Sequence, residues 1–210
     1  LRQQLTPVMS SKDDQTLGFY AEEASAYAGR DRLAEHRRID PFVARLKPGA
    51  RILELGCGGG QDSEEMLRRG FDVVPTDGSP ELAAQAEQRL GRPVGVLLFE
   101  DLEEVATYDG VWAHACLLHA PRPALPGIID RIHRALRPGG VLYASFKAGE
   151  AEGRDGLGRY FNYLSSAELR AVFGIGARWQ SLTIDEDTGS GYDRQPTRWL
   201  HALAIRSPEP

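Results

Sequence analysis

The sequence predicts an α/β fold, a doubly wound and mostly parallel sheet with helices on both faces. Short apolar runs alternate with helical segments between residues 50 and 147, the order that builds parallel sheets. The first run, Ile52-Leu53 then Leu55, empties into Gly56-Cys57-Gly58-Gly59-Gly60 and a helical stretch. A second run ends on an acid, Asp77, about twenty residues past that loop. At 210 residues the chain is one domain, long enough for a sheet buried on both faces.

Each element follows in order. Leu1 to Leu17 is polar and aperiodic, the pattern of a mobile arm over residues 1–17. Phe19 to Leu46 is helical in pattern, Ala-rich around Tyr20 and Tyr27, with Pro41 starting a second helix. Glycines without Cβ after Leu55 let backbone N–H groups close on a ligand. They do so at the positive end of the helix from Asp62 to Arg69, a cradle for a nucleotide-type cofactor. Phe71 to Val74 reads as the second strand and ends at Thr76-Asp77-Gly78-Ser79, where an acid can take both hydroxyls of a ribose. Ser79 is the N-cap and Pro80 the first turn of the next helix, Glu81 to Leu90. Val94 to Phe99 is a third apolar run, ending in Glu100-Asp101-Leu102. Asp109 to Ala113 is the fourth strand, followed by His114-Ala115-Cys116-Leu117-Leu118-His119. Leu136-Arg137-Pro138-Gly139-Gly140-Val141-Leu142-Tyr143 turns into the fifth.

Beyond it, Gly149 to Tyr163 is a glycine-rich, charged loop at the carboxyl end of a parallel strand, where open α/β sheets hold ligands. Ser165 or Ser166 caps a helix, with Ser165-x-x-Glu168 as a capping box. Trp179 to Ile184 and Trp199 to Ile205 are alternating runs, and the polar stretch between them, Asp185 to Thr197, reads as a surface loop.

A dinucleotide fingerprint would put its third glycine at Gln61, which argues against a nicotinamide enzyme. The pattern is instead Glu54-x-Gly56-x-Gly58-x-Gly60. It resembles the first motif, E/D-x-G-x-G-x-G, of the class I S-adenosylmethionine-dependent methyltransferases. Asp77, Glu100-Asp101-Leu102, Asp109 to Ala113 and Leu136 to Tyr143 match further motifs of that family in the same order. The resemblance implies a Rossmann-like seven-stranded sheet with one antiparallel strand near the C-terminus. It implies a single domain over residues 18–206, with 18–47 a helical lid and 148–164 a substrate-side loop. It also implies S-adenosylmethionine as methyl donor and S-adenosylhomocysteine as product. The implied cofactor contacts are Glu54, Gly56, Cys57 and Gly58 at the methionine half, and Asp77, Gly78 and Ser79 at the ribose. Asp101 would meet the adenine amine and Leu102 the ring, with Ala115 and Tyr27 closing the site.

Methyl transfer is an in-line displacement that needs alignment and desolvation, and sometimes a base. His119 is the candidate base, since an imidazole titrating near 6.5 suits the task; the competing reading is a ring that packs over the cofactor. Lys147, Arg154 and Arg159, interleaved with Tyr160 and Tyr163, are the candidate substrate contacts, because such cations match carboxylate or phosphate oxygens. The competing reading is a solvated loop neutralised by Glu150, Glu152 and Asp155. Tyr20 reads as helix packing and His114 as structural.

The formal net charge of −5 lacks the basic footprint of a nucleic-acid binder. Cys57 and Cys116 read as reduced small residues, no Cys/His cluster suggests a metal, and no apolar stretch approaches a membrane span. The expectation is a cytoplasmic, monomeric or dimeric methyltransferase acting on an O or N atom of a small acceptor, anionic if the loop cations meet it. Two other classes stay open: a non-catalytic S-adenosylmethionine-binding module on the same fold, and an RNA- or tRNA-directed methyltransferase.

Overall fold

The computed structural model describes residues 10, 12–30, 35–175 and 177–208. Most of the expected arm, residues 1–9 and 11, lies outside the described residues. Three short helices come first: α1 (Asp14–Glu22), α2 (Ala24–Gly29) and α3 (His36–Val43). The alternating part runs β1 (Arg51–Leu55), α4 (Gln61–Arg68), β2 (Asp72–Asp77), α5 (Pro80–Leu90), β3 (Gly95–Val96), β4 (Tyr108–Ala113), α6 (Leu125–Ala135) and β5 (Leu136–Lys147). A ribbon of β6 (Gly153–Arg154) and β7 (Tyr160–Phe161) follows, then α7 (Ser166–Gly174), β8 (Trp179–Ser190) and β9 (Pro196–Arg206).

Seven strands form one sheet in the order β3-β2-β1-β4-β5-β9-β8. β1 to β5 pair in parallel, while β9 runs antiparallel to both β5 and β8. A parallel sheet must hide both faces, and alternate residues form the two layers. Ile52, Val73, Trp112, Val141 and Tyr143 meet Ile39 and Phe42 of α3 and Met66 of α4. Leu53, Val111, Ala113, Leu142 and Ala144 belong to the opposite layer, with Ile128, Ile129 and Ile132 of α6 and Leu169 and Phe173 of α7. Each fully buried aliphatic side chain in these layers contributes about 1.5–3 kcal/mol. Because β2 and β4 flank β1 on opposite sides, the sheet reverses its winding there. The loops leaving β1 and β4 open a crevice at their carboxyl ends.

Four details differ from the sequence expectation. Helix α1 starts at Asp14, with the Asp13 carboxylate accepting the Thr16 N–H at 2.8 Å, so the end of the expected arm is built into the fold. Pro41 lies inside α3 rather than at a helix start; in a helix of two turns its ring removes one backbone bond. The third apolar run yields only two strand residues, because β3 is the sheet edge and Phe99–Asp101 then coil into a 3-10 turn. The polar stretch after Ile184 is mostly strand: β8 and β9 stay paired out to Ser190 and Pro196. This ladder is carried by backbone bonds, and its outer strand has little buried face to demand apolar alternation.

Candidate functional site

The glycine turn after β1 is drawn tight by residues with left-handed backbone. Gly56, Gly58 and Gly60 have φ of 64°, 57° and 83°. The Gly58 N–H donates to one carboxylate oxygen of Asp77 at 2.8 Å, and the Ser79 N–H donates to the other at 2.9 Å. Burial raises the Asp77 pKa, and these backbone donors oppose the rise. Asp77 thus ties the ends of β1 and β2 together and presents a buried acid to the crevice.

A narrow cavity opens there. Gly56, Gly58, Asp77 and Gly78 form its floor, and Leu17, Leu82, Leu97, Leu98 and Phe99 make an apolar slot at one end. Lys12, Asp13, Thr16, Tyr20 and Tyr27 close it from the helical side, and Ala115, Cys116 and His119 from the loop after β4. A Cβ on Gly58 would come 3.2 Å from the Tyr27 ring, so a side chain there would narrow the gap between loop and ring and push against Tyr27. Ala115 has φ of 54°, a conformation that costs a non-glycine residue of the order of 1 kcal/mol. Its N–H is held by the Ser145 hydroxyl at 2.8 Å.

Several residues singled out from sequence do not reach this wall. Glu54 is buried behind the loop, its carboxylate accepting from the Ser63 hydroxyl. Cys57 is buried as well and pins the turn through its N–H to the Thr76 carbonyl at 2.9 Å. Ser79 caps α5. Asp101 is exposed and Leu102 lies in the core; because β3 is so short, the chain offers Leu97, Leu98 and Phe99 to the cavity instead.

On the far side of Tyr20, Tyr27, Ala115 and His119 lies a larger cleft of about 980 Å3. It is bounded by α2 and α3, by the end of β5, and by Tyr192 and Trp199 of the β8–β9 hairpin. The same four residues therefore wall both spaces. Among the expected substrate contacts, Lys147 and Arg159 line the cleft, whereas Arg154, Tyr160 and Tyr163 line neither space. Arg154 instead forks onto Asp13 at 2.7 and 2.9 Å, docking α1 on the β6–β7 ribbon. The Tyr160 hydroxyl donates to Glu152 and its N–H to the Thr16 hydroxyl. Tyr163 packs beside Phe161.

Hydrogen bonds order the shared wall. The His119 Nδ1 lies 2.6 Å from the Tyr160 carbonyl, which can only accept, so Nδ1 carries the proton. Nε2 then accepts from the Tyr20 hydroxyl at 2.9 Å, and Arg159 donates to the same Tyr20 oxygen at 3.2 Å. Burial pulls the His119 pKa down to about 4, against the opposing effect of the Tyr160 carbonyl. Burial likewise raises that of Tyr20, so its proton stays on. Arg159 is itself buried and forks onto Asp155. Tyr20, read from sequence as helix packing, is therefore a member of the site; the turn of the chain between α1 and α2 brings its ring 5.1 Å from that of Tyr27. His114 lines the cleft but is tied to Asp62 at 3.0 Å.

Comparison with known proteins adds an independent line. Residues 52–140 match the family model described as a methyltransferase domain. A ubiquinone biosynthesis O-methyltransferase from Xanthomonas oryzae pv. oryzae is 40% identical over 116 residues, covering 51% of this chain and 48% of that protein. The chain thus spans about half the length of the curated relatives it matches. Among solved structures, 1,6-didemethyltoxoflavin-N1-methyltransferase of Burkholderia thailandensis superposes with a TM-score of 0.71. It is 22% identical, over 99% of this chain and 93% of that one, and it holds 1,6-didemethyltoxoflavin and S-adenosylhomocysteine. A Methanosarcina mazei S-adenosylmethionine-dependent methyltransferase gives 0.70 at 19% identity, over 84% of this chain and 100% of that one.

Proposed function

We propose that this chain, whose residues 52–140 match a methyltransferase domain and whose sheet is the class I S-adenosylmethionine-dependent methyltransferase fold, methylates an O or N atom of a small acceptor held in the larger cleft. The observation that carries this reading is the wall of Tyr20, Tyr27, Ala115 and His119 shared by the two spaces. Transfer from one ligand to another requires two adjoining pockets with a common boundary.

S-adenosylmethionine, when bound, supplies a methyl group made electrophilic by its sulfonium. The narrow cavity fits that molecule: Asp77 offers a buried acceptor for ribose hydroxyls, and the Leu17, Leu82, Leu98 and Phe99 slot suits a flat purine. Gly58 leaves room beneath Tyr27 for a chain that a side chain would block. At the boundary, His119 keeps its Nε2 lone pair toward Tyr20 because Nδ1–H is committed to the Tyr160 carbonyl. That neutral nitrogen is a weak base, able to accept the proton of an acceptor hydroxyl that displaces the Tyr20 bond once alkylation of the oxygen has made that proton strongly acidic. Tyr20 and Arg159 hold the boundary in place and help exclude water. The name O-methyltransferase of the Xanthomonas relative favours oxygen as the accepting atom, and the 1,6-didemethyltoxoflavin bound by the Burkholderia enzyme is consistent with a small acceptor. Two free, buried thiols, Cys57 and Cys116, fit a cytoplasmic setting.

The test is incubation with methyl-tritiated S-adenosylmethionine and pools of small phenols, catechols and amines, using wild type and Gly58→Val. Tritium should enter the pools with wild type and not with the variant. A protein that binds the cofactor but labels no pool would instead be a non-catalytic binding module.

A further inference from the structure

Resting on that reading, we propose that the acceptor is a small aromatic acid whose carboxylate or phosphate docks on the Lys147 ammonium in the larger cleft. Lys147 ends β5, the strand that leads from the core to the cleft. Its residue is only 5% exposed, yet among the described residues its ammonium forms no ion pair and no hydrogen bond to any side chain. Its close neighbour is the Phe161 ring, whose centroid is 4.1 Å from Nζ, and a cation over a ring recovers only part of what burial takes away. It also meets the hairpin turn, where a Cβ on Gly191 would stand 3.1 Å from Nζ and 3.0 Å from an Asp193 carboxylate oxygen. Asp193 and Asp155 attract this ammonium without an ion pair among the described residues, so at the wall of an open space it has room for an anion in direct contact.

The rest of the cleft points the same way. Arg30, Arg37, Arg38, Lys147, Arg159 and Arg194 line it, against two acids, Glu35 and Asp187, in a chain that is acidic overall. Asp187 is already shared between Arg37, Arg38 and His201, and Asp155 is taken by Arg159. Arg30 lies 3.8 Å over the Tyr27 ring, with its Nε buried and without a partner among the described residues. A pocket with this surplus of cations selects anions, and Tyr20, Tyr27, Phe161, Tyr192 and Trp199 supply flat surfaces for an aromatic body.

Calorimetry on the whole chain tests this, with and without saturating S-adenosylhomocysteine. The probes are matched pairs, 3,4-dihydroxybenzoate against 3,4-dihydroxybenzamide and phenyl phosphate against phenol. At least one acid should bind about tenfold tighter than its neutral partner, and which pair shows it separates carboxylate from phosphate. Lys147→Gln should erase the preference and Lys147→Arg should keep it, with the affinity for S-adenosylhomocysteine unchanged in both. Equal binding within each pair, or no binding by either acid at millimolar concentration, overturns the proposal. Because the cofactor is titrated separately, a protein that takes S-adenosylhomocysteine but shows no acid preference fails this inference alone. One that prefers the acids but ignores S-adenosylhomocysteine fails the methyltransferase reading and keeps the anion site.

Discussion

Asp77 and His119 carry the sharpest consequences at the scale of single residues. Asp77 joins two functions, holding the glycine turn through the Gly58 N–H and facing the cavity, and burial raises its pKa. Asp77→Ala should weaken S-adenosylhomocysteine binding by about 1–3 kcal/mol, read by calorimetry; unchanged affinity would take Asp77 out of the site. For His119, a folded pKa of about 4 means the ring is neutral across the physiological range. The sign is that of a depressed cation: protonation is resisted in the fold and occurs only as pH falls toward that value. Turnover should therefore show no histidine limb between about pH 5.5 and 8. A limb near 6.5 that disappears in His119→Asn would contradict the buried geometry. The acid Asp77 and its glycines were legible in the sequence because their spacing is local, set by one strand, one turn and the next strand. Asp101 and Leu102 misled because their placement depends on how long the edge strand runs, which a run of apolar letters from Val94 to Phe99 does not reveal.

At the scale of elements, α1 is the piece the sequence concealed. Its polar, aperiodic approach from Ser10 to Leu17 resembles an unanchored arm, yet Asp13 caps it and Thr16 is buried. Its anchor is non-local, the Asp13–Arg154 fork and the Tyr160 N–H on the Thr16 hydroxyl, joining residues about 140 apart in the chain. The fork is partly exposed and screened by solvent, so its contribution to docking is modest. Arg154→Ala should therefore speed amide exchange in residues 14–22 by up to about fivefold, leaving α6 exchange unchanged; equal protection in the two proteins would show that α1 docks by other means. Arg154 holds the Asp13 pKa down to about 2. A depressed carboxylate contributes its stability above its unfolded value and loses it as pH falls. The docking should hold at pH above about 4 and fade toward pH 2. The β8–β9 hairpin was half legible: its apolar ends were read as strands, while Asp185 to Ser190 continues the ladder because backbone pairing asks nothing of its side chains.

At the scale of the whole molecule, the order of strands explains why one acidic chain holds two spaces of different character. The reversal of winding at β1 sets a narrow, partly apolar cavity over β1 and β2, while the strands beyond β4 and the long hairpin raise a cation-lined cleft beside it. Helices α1 and α2 cover the boundary, so the parts of the chain with the weakest sequence signal complete the site that the strongest motifs begin. The fold was legible because glycine turns and apolar runs report strand ends directly. The cleft was not, since Arg30, Lys147, Tyr192 and Trp199 meet only once the sheet has closed. The claim that the narrow cavity is built for a sulfur nucleotide is tested most directly by calorimetric titration of the purified chain with S-adenosylhomocysteine and with NAD. Micromolar binding of the first and no heat from the second is the predicted result, and binding of NAD alone would contradict it.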